Sequence, residues 1–578
     1  MKRFGNFFQH HLSRSFIILL FPAFYIINFS HHSWVKPENV IAWDVKSYYA
    51  YLPAAFIHRD LSLAFTAKNP SEYNKWYWPV ITPTGKKCIV TSMGLSFLYA
   101  PFFLVGHAVA AFTPFADDGY SQPYAMALVF SAMFYVILGL WFLRKLLLRY
   151  FDELTTLITL ILVLFGTNLL YYSSWSAAMP HSYNFGLISL FLYLIDKWHE
   201  GINYKRTVGL GLLFGLIVLI RPTNILVLLL LIFWNTRGLK DIHKRVRFFL
   251  INYKHVLLML VAFLLVWMPQ FLYWKLVSGK FLYFSYSGIG GKFFWNNPQI
   301  GEILFSFRKG WYLYTPVMLV ASIGTVLMFK YLKDKALPVV LFLLINIYLQ
   351  ASWWCWWFGG SCGNRAFIDS YGILALPLAV VIYKAKSLRW AGMPVFIVIL
   401  FLGWYNTFQI KQYNHGSLHY WWMSKTSYQL AFFKKNARLG YWSAIPVPDY
   451  TKARKGVYVS ENLITRFEGY QGIKVEPKEI MLAIKSDIKP TVRHQRMAER
   501  HAISLDSALT IAAYNRYEKT WSVDKWVRFI VTEKLTDSLK SDTLWLDNNV
   551  PQWKEQSEKS LLEQVNSLVK EEIKNIKF

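Results

Sequence analysis

Cysteine and acidic residues are scarce in this sequence. The 578 residues include only three cysteines, and 33 Asp and Glu against 62 Lys and Arg. Three cysteines cannot form an even-numbered disulfide framework. The sequence also lacks a Cys/His spacing for zinc, a glycine loop followed by Lys and Ser or Thr, and a Gly-x-Ser-x-Gly elbow. Zinc modules, P-loop nucleotide hydrolases and α/β-hydrolases are therefore not indicated.

Long apolar runs without charge dominate the chain instead. Hydrophobic residues make up 55% of it, and residues 157–170, 256–267 and 393–403 are uncharged parts of longer apolar stretches. A helix needs roughly 20 mostly apolar residues to cross a bilayer, and such runs are too continuous for alternating barrel strands. The sequence predicts an all-α polytopic membrane protein.

The formal charge of +29 lies largely in short clusters between the apolar runs. That distribution is typical of cytoplasmic loops under the positive-inside rule rather than of a nucleic-acid-binding surface. We therefore predict a multi-pass protein of the cytoplasmic (inner) membrane with a cytoplasmic N-terminus and no nucleic-acid partner. The clusters lie at residues 2–14, 144–149, 197–206, 237–254, 330–335 and 384–389.

About eleven crossings follow from this topology. Residues 93–112 are also apolar, but counting them as a crossing would move the 144–149 cluster outside, so we predict an interfacial helix there. The first apolar segment lacks a small-residue cleavage site and is interpreted as a retained helix. The predicted crossings are 16–29, 123–143, 154–172, 182–196, 207–220, 222–235, 256–274, 311–330, 336–350, 367–383 and 391–408.

Three parts are predicted along the chain. Residues 1–120 comprise the first helix and a large outer (periplasmic) loop, and residues 121–408 form the helical body. Residues 409–578 lose the long apolar runs and are predicted to be a small mixed α/β region in the periplasm, with a strand near 456–460. Ser504 in this tail is a plausible helix cap.

Two charged residues stand beside predicted helices where charge is costly. Asp44 follows the first helix by a few residues, and Arg221 interrupts the apolar run 207–235. Because both flanks of that run are basic, we predict a hairpin with Arg221 at its outer tip. Arg221 either snorkels to the headgroups or binds the phosphate of a lipid substrate. Asp44 is either a solvated loop acid or a general base.

The outer loop 353–365 contains four tryptophans, three glycines and Arg365. Such a loop suits contact of Trp356 and Trp357 with a sugar or an isoprenoid chain while Arg365 meets a phosphate, and interfacial anchoring is the alternative. Cys355 and Cys362 lie in the same loop and are chemically able to pair in an oxidising periplasm, although their spacing does not establish the geometry.

Other outer-boundary residues are weaker candidates. Arg308 stands at the outer start of a predicted helix, where it is a candidate for phosphate binding. His181 lies at another outer boundary, where a hydrogen-bonded structural role competes with substrate binding. Asp117 and Asp118 resemble a metal pair, but Asp-Asp-Gly is also an ordinary turn, which we favour. Glycosyl transfer from a lipid-phosphate sugar needs a base and cations of this kind.

Several of these segments resemble the GT-C superfamily of membrane glycosyltransferases, in particular the bacterial protein-mannosyltransferase and aminoarabinose-transferase relatives. The likeness covers about residues 1–410. It is carried by Trp43-Asp44 with Tyr48-Tyr49-Ala50-Tyr51 and Arg59-Asp60-Leu61, by 165–172, by Arg221-Pro222-Thr223, by 311–316 and by 359–369.

The resemblance implies a GT-C-like helical bundle, a polyprenyl-phosphate-linked sugar donor and an acceptor that is a lipid, glycan or protein. It also implies that Asp44 is the catalytic base, with Tyr48 and Tyr49 near the substrate. Val45 follows Asp44 where many relatives have a second acid, so a divalent metal cofactor is not supported. Two other functions stay open: a transporter or flippase of lipid-linked glycans, and a non-catalytic subunit of an envelope-assembly complex.

Overall fold

The computed structural model describes residues 2–435, 445, 450–458, 475, 477–501, 504–519, 524–550 and 552–573. The chain forms two compact units, one of Met1–Lys411 with Tyr450–Val457, and one of Gln412–Asp449 with Tyr458–Phe578. Each unit is described by itself.

The first unit is a bundle of helices. Its outer-loop region carries a two-stranded antiparallel sheet of β1 (Pro79–Ile81) and β2 (Lys87–Ile89), in which Val80 pairs with Cys88. Its helices are α1 (Lys2–His31), α2 (Asp44–Tyr49), α3 (Pro70–Tyr73), α4 (Gly94–Ala111), α5 (Gln122–Leu147), α6 (Glu153–Phe165), α7 (Leu169–Ser173), α8 (Pro180–Glu200), α9 (Tyr204–Ile220), α10 (Leu228–Phe233), α11 (Ile242–Ile251), α12 (Tyr253–Ser278), α13 (Ile300–Phe305), α14 (Trp311–Tyr314), α15 (Val317–Tyr331), α16 (Lys333–Ala351), α17 (Tyr371–Ser387), α18 (Met393–Asn414) and the short α20 (Tyr450–Arg454).

The predicted all-α membrane class is confirmed by the helices themselves. Among the described residues, seven are long and apolar enough to cross a bilayer. Each of the eleven predicted crossings also coincides with helical structure, although some of these helices are short. The seven are His11–His31, Gly94–Ala111, Gln122–Leu147, Tyr253–Ser278, Lys333–Ala351, Arg365–Ser387 and Met393–Asn414.

Helix α4 lies across the predicted outer ends of three other helices. Gly94 at its start abuts the last residues of α9, and Gly106 near its end abuts the first residues of α5. Between them, the Tyr99 hydroxyl donates to the carbonyl oxygen of Ala178, just before α8. Helix α4 is long and apolar enough to cross a membrane, and the interfacial placement of residues 93–112 stays a prediction.

The predicted hairpin at Arg221 is confirmed by contacts to one helix. The indole nitrogen of Trp198 in α8 donates to Thr207 at the start of α9, at 2.9 Å. Two residues earlier in α8, Asp196 accepts from the indole nitrogen of Trp234 beyond α10, also at 2.9 Å. Both ends of the segment 207–234 therefore lie on the same side of the bundle, with Arg221 at the opposite side.

Every regular element described in the second unit is a helix. Its helices are α19 (Lys425–Ala431), α21 (Pro477–Ser486), α22 (Val492–His501), α23 (Leu505–Lys519), α24 (Asp524–Leu539), α25 (Thr543–Asn549) and α26 (Glu558–Ile573). Buried aliphatic side chains including Ile484, Val531 and Val565 form its core. The predicted cap is confirmed, since Ser504 accepts from the backbone of Ser507 at 3.0 Å. The strand predicted at 456–460 lies partly outside the described residues, and residues 456–458 are not a strand.

We expect the close contact between α5 and α8 to tolerate no added methyl group. A Cβ on Gly186 would overlap the carbonyl oxygen of Tyr135 in α5, and overpacking of this kind costs about 1–3 kcal/mol. Gly186→Ala should therefore lower the Tm of the detergent-purified protein. Gly209→Ala in α9 is the control because a Cβ there meets nothing within 4 Å; equal Tm values for the two variants would contradict this packing.

Candidate functional site

Asp44 is the first residue of α2 and is paired with Arg365. Its Oδ2 atom accepts from Arg365 Nη2 at 2.8 Å, with the Asp44 side chain 49% exposed and that of Arg365 15% exposed. The carboxylate is thus open to a second molecule while it is held by a largely buried cation. A guanidinium has five N–H donors, so Arg365 can hold Asp44 and still bind a phosphate oxygen.

The backbone before Asp44 is strained, and the helix after it is firmly anchored. Trp43 has a φ of +49° and its side chain is 73% exposed. A bulky residue with positive φ is uncommon and costs on the order of 1–3 kcal/mol. Helix α2, which follows Trp43, accepts two hydrogen bonds. The Ser96 hydroxyl donates to the Tyr48 carbonyl, and the Thr91 backbone N–H donates to the Ser47 hydroxyl. These contacts fix the direction in which Asp44 points.

Arg221 is held by a buried carboxylate, that of Asp369. Arg221 Nη1 lies 2.8 Å from Asp369 Oδ2, and the two side chains are 12% and 5% exposed. The same oxygen accepts from the side-chain amides of Asn224 at 2.7 Å and Asn184 at 3.3 Å. Because a carboxylate buried without partners would be very costly, this network is what allows Asp369 to remain inside the bundle.

His181 completes the network around Asp369. Its Nδ1 atom lies 3.1 Å from Asp369 Oδ1 and 3.2 Å from Arg221 Nη1. Both neighbours cannot bond to one nitrogen in a single tautomer, because the carboxylate requires an N–H and the guanidinium requires a lone pair. Arg221 Nη1 already donates to Asp369 Oδ2 at 2.8 Å, whereas Asp369 Oδ1 can only accept, so we assign the proton to Nδ1. His181 then donates to Oδ1 of Asp369, whereas Asn224 donates to Oδ2.

Tyr48 connects the two ion pairs electrostatically. Burial raises the pKa of Tyr48 well above its usual value, Tyr286 and Asp44 raise it further, and the positive charges of Arg221 and Arg365 oppose this effect. The phenol is thus a neutral hydroxyl whose pKa is affected by the charges of both pairs. Tyr49 is placed differently, since it is fully buried and its hydroxyl donates to the Gly119 carbonyl at 2.5 Å.

The loop before Arg365 is fixed by hydrogen bonds rather than mobile at an interface. Asn168 donates to the Cys362 carbonyl at 2.9 Å, and Lys309 donates to the Ser361 carbonyl at 2.5 Å. Three of its four tryptophans are buried, which does not suit interfacial anchoring. Cys355 and Cys362 are both free thiols.

Arg308 lies against this loop and not against Asp44 or Asp369. Its guanidinium carbon is 3.2 Å from the centre of the Trp357 ring and 5.5 Å from that of Trp356, a cation–π arrangement. Its charge and that of Arg365 both act on the thiol of Cys355, although burial still raises the pKa of that thiol to about 11. Both arginines therefore lie near enough to Cys355 for their charges to lower the pKa of its thiol.

The structure brings together Asp44, Tyr48, Arg221, His181 and Arg365 from the predicted set, and places Tyr49 elsewhere. It also adds Asp369, which sequence analysis did not single out. A lone acid at the start of the apolar run 367–383 was the available signal. The described residues contain no group of three or more His, Cys, Asp or Glu side chains that could hold a metal ion.

Comparison with known proteins yields structural similarity only. No family model matches the sequence, and no curated protein matches it. The chain is similar to the apo-state crystal structure of ArnT from Cupriavidus metallidurans, with 14% identity over 88% of this chain and 75% of that one and a TM-score of 0.37. It is also similar to the oligosaccharyltransferase AglB from Archaeoglobus fulgidus, solved with an inhibitory peptide and a dolichol-phosphate, with 12% identity over 80% of this chain and 62% of that one and a TM-score of 0.39.

At such identities and TM-scores the likeness decides neither the activity nor the role of any residue.

The Arg221–Asp369 pair should be strongly coupled. Asp369→Asn or Arg221→Gln alone leaves a buried charge without its partner, which costs about 3–5 kcal/mol. In the double variant no charge is left unpaired, so the total loss should be smaller than the sum of the two single losses. Unfolding in detergent measures this cycle, and Glu38→Gln, which breaks an exposed ion pair, is the control with an expected loss of about 1 kcal/mol or less.

Lys309 should make stability depend on pH. Burial lowers the pKa of Lys309 to about 7, so between this pH and its usual value the unfolded state binds a proton that the folded state does not. The free energy of unfolding must then rise with pH across this window. In Lys309→Met this rise should be weaker, so the Tm of the wild type minus that of the variant should increase from pH 7 to pH 9.5. A difference that is constant with pH would contradict a neutral Lys309.

Proposed function

We propose that the protein transfers a sugar from a polyprenyl-phosphate-linked donor to an acceptor at the outer face of the cytoplasmic membrane. The observation that carries this proposal is the half-exposed carboxylate of Asp44 held at 2.8 Å by the largely buried Arg365. A base for the acceptor and a cation for the leaving phosphate are the two groups that such a transfer needs, and here they are in direct contact.

The reaction would be a single displacement at the anomeric carbon of the sugar. The oxygen or nitrogen of an acceptor on a lipid, glycan or protein attacks this carbon, and the new bond forms as the bond to the phosphate oxygen breaks. Asp44 accepts the acceptor's proton, and the bonding electrons leave with the polyprenyl phosphate. A single displacement inverts the configuration of the sugar.

The arginines would have separate roles in this reaction. Arg365 bridges base and leaving group, since it can donate to Asp44 and to a phosphate oxygen at once. Arg221 is 12% exposed and has N–H groups beyond the one that bonds Asp369, which suits a second contact to the phosphate. Trp356 and Trp357 would act through Arg308, which they hold in place, rather than as an exposed surface for the sugar.

Asp44→Asn should abolish release of polyprenyl phosphate by the purified protein when it is offered a panel of polyprenyl-phosphate sugars with candidate acceptors. The amide keeps the size of the side chain but cannot accept the proton, so Tm should change little while turnover falls by about 10²-fold or more. Asp117→Asn, a change at an exposed acid of the same outer loop, is the matched control and should retain activity.

Full turnover in Asp44→Asn would overturn the assignment of the base. The transporter alternative predicts a different result, namely movement of intact labelled donor across a vesicle membrane without release of polyprenyl phosphate. A non-catalytic subunit would show neither release nor movement.

A further inference from the structure

Helix α11 is amphipathic, and among the described residues no protein segment fully buries its apolar face. Ile242, Val246, Phe249 and Leu250 recur at helical spacing on one side, while Lys244 and Arg247 are exposed on the other. None of the ten residues of α11 is fully buried. A short helix with this pattern of apolar and basic residues is typical of one that lies in the membrane interface.

The apolar face of α11 opens onto a groove of about 740 Å³, formed with α9, α10 and α12. This volume is within the range of ligand-binding pockets. Its lining is aliphatic and aromatic, with Leu210, Phe214, Leu228, Leu257 and Phe263 among the residues that form it. An apolar lining of this kind accepts a hydrocarbon chain.

One cation, Arg245, lies within the lining of the groove. Its Nε atom donates to the Ile232 carbonyl at 3.0 Å, and its Nη2 atom lies 3.2 Å from Nε2 of His199. The guanidinium also faces the ring of Phe248, 4.9 Å from its centre. These contacts fix the charge at the edge of an apolar space, and the guanidinium has further N–H groups for an anionic ligand.

The surroundings of the groove are strongly basic. The segment 237–254 contains six cations, Arg237, Lys240, Lys244, Arg245, Arg247 and Lys254, and one acid, Asp241. Basic clusters on an amphipathic helix beside membrane helices attract anionic headgroups, and each Lys or Arg near the surface adds to the attraction. An apolar groove beneath such a cluster matches the two parts of a phospholipid.

We propose that this groove binds a phospholipid with an anionic headgroup from the cytoplasmic leaflet of the membrane. One hydrocarbon chain lies in the groove, and the headgroup phosphate contacts Arg245 and the exposed cations of α11 and the start of α12. The proposal does not depend on the proposed transferase activity, because the hairpin places Arg221 at the side of the bundle opposite to Thr207 and Trp234.

The test compares two lipids with the same chains. Dioleoyl phosphatidylglycerol and dioleoyl phosphatidylcholine are titrated into the full-length protein in detergent, and the rise in Tm gives an apparent affinity. We expect the anionic lipid to bind about tenfold or more tightly than the zwitterionic one. Equal affinities would overturn the proposal, because they would indicate an unspecific lipid shell.

Two pairs of variants test the contributions of the lipid headgroup and of its hydrocarbon chain to binding. Arg247→Glu/Lys254→Glu should remove the preference for phosphatidylglycerol, while Lys330→Glu/Lys333→Glu, the same charge change at exposed residues elsewhere, should keep it. Leu257→Trp should weaken binding by filling the groove, while Leu265→Trp, at an exposed position of the same helix outside the lining, should not. Equal losses within either pair would overturn the assignment to this groove.

Discussion

The ion pair between Arg221 and Asp369 is the constraint on which the outer end of the bundle depends. The backbone at Arg221 is extended, so helix α9 ends there and leaves a cation among apolar helices. Such a charge is tolerated only with a partner, and Asp369 supplies it at 2.8 Å. Arg365 precedes Asp369 by four residues in the same helical stretch, Arg365–Ser370. The Arg221–Asp369 contact therefore also helps to position Arg365, which pairs with Asp44.

The site contains two carboxylate–guanidinium pairs that differ in the exposure of their carboxylates. Asp369 is enclosed and has its hydrogen bonds to Arg221, Asn224, Asn184 and His181, as a structural anion requires. Asp44 is half-exposed and shares one oxygen with Arg365, so its other oxygen can meet a substrate. The strained backbone at Trp43 is a cost borne next to the residue for which we propose chemistry, which is where strain is commonly found.

The cations at the two ends of the hairpin differ in their partners. Near Arg221 the cations described here are held by carboxylates or aromatic rings within the bundle. Near α11, exposed cations outnumber acids and stand beside an apolar groove. The first arrangement orders groups around one reacting centre, whereas the second leaves positive charge available to the membrane surface. We infer that one end recognises a substrate and the other recognises lipid.

The sequence alone determined the helical membrane class, the approximate positions of the helices in its apolar runs and the hairpin at Arg221, because hydropathy and charge clusters are local properties of the sequence. It also singled out Asp44 and Arg365, though separately. Only the tertiary structure decided that these two residues, 321 positions apart, form one pair, that Asp369 is the partner of Arg221, and that Tyr49 turns away to Gly119. The physical reason is that such pairings depend on how helices distant in sequence pack together, and a buried charge reveals its need for a partner but not which residue supplies it.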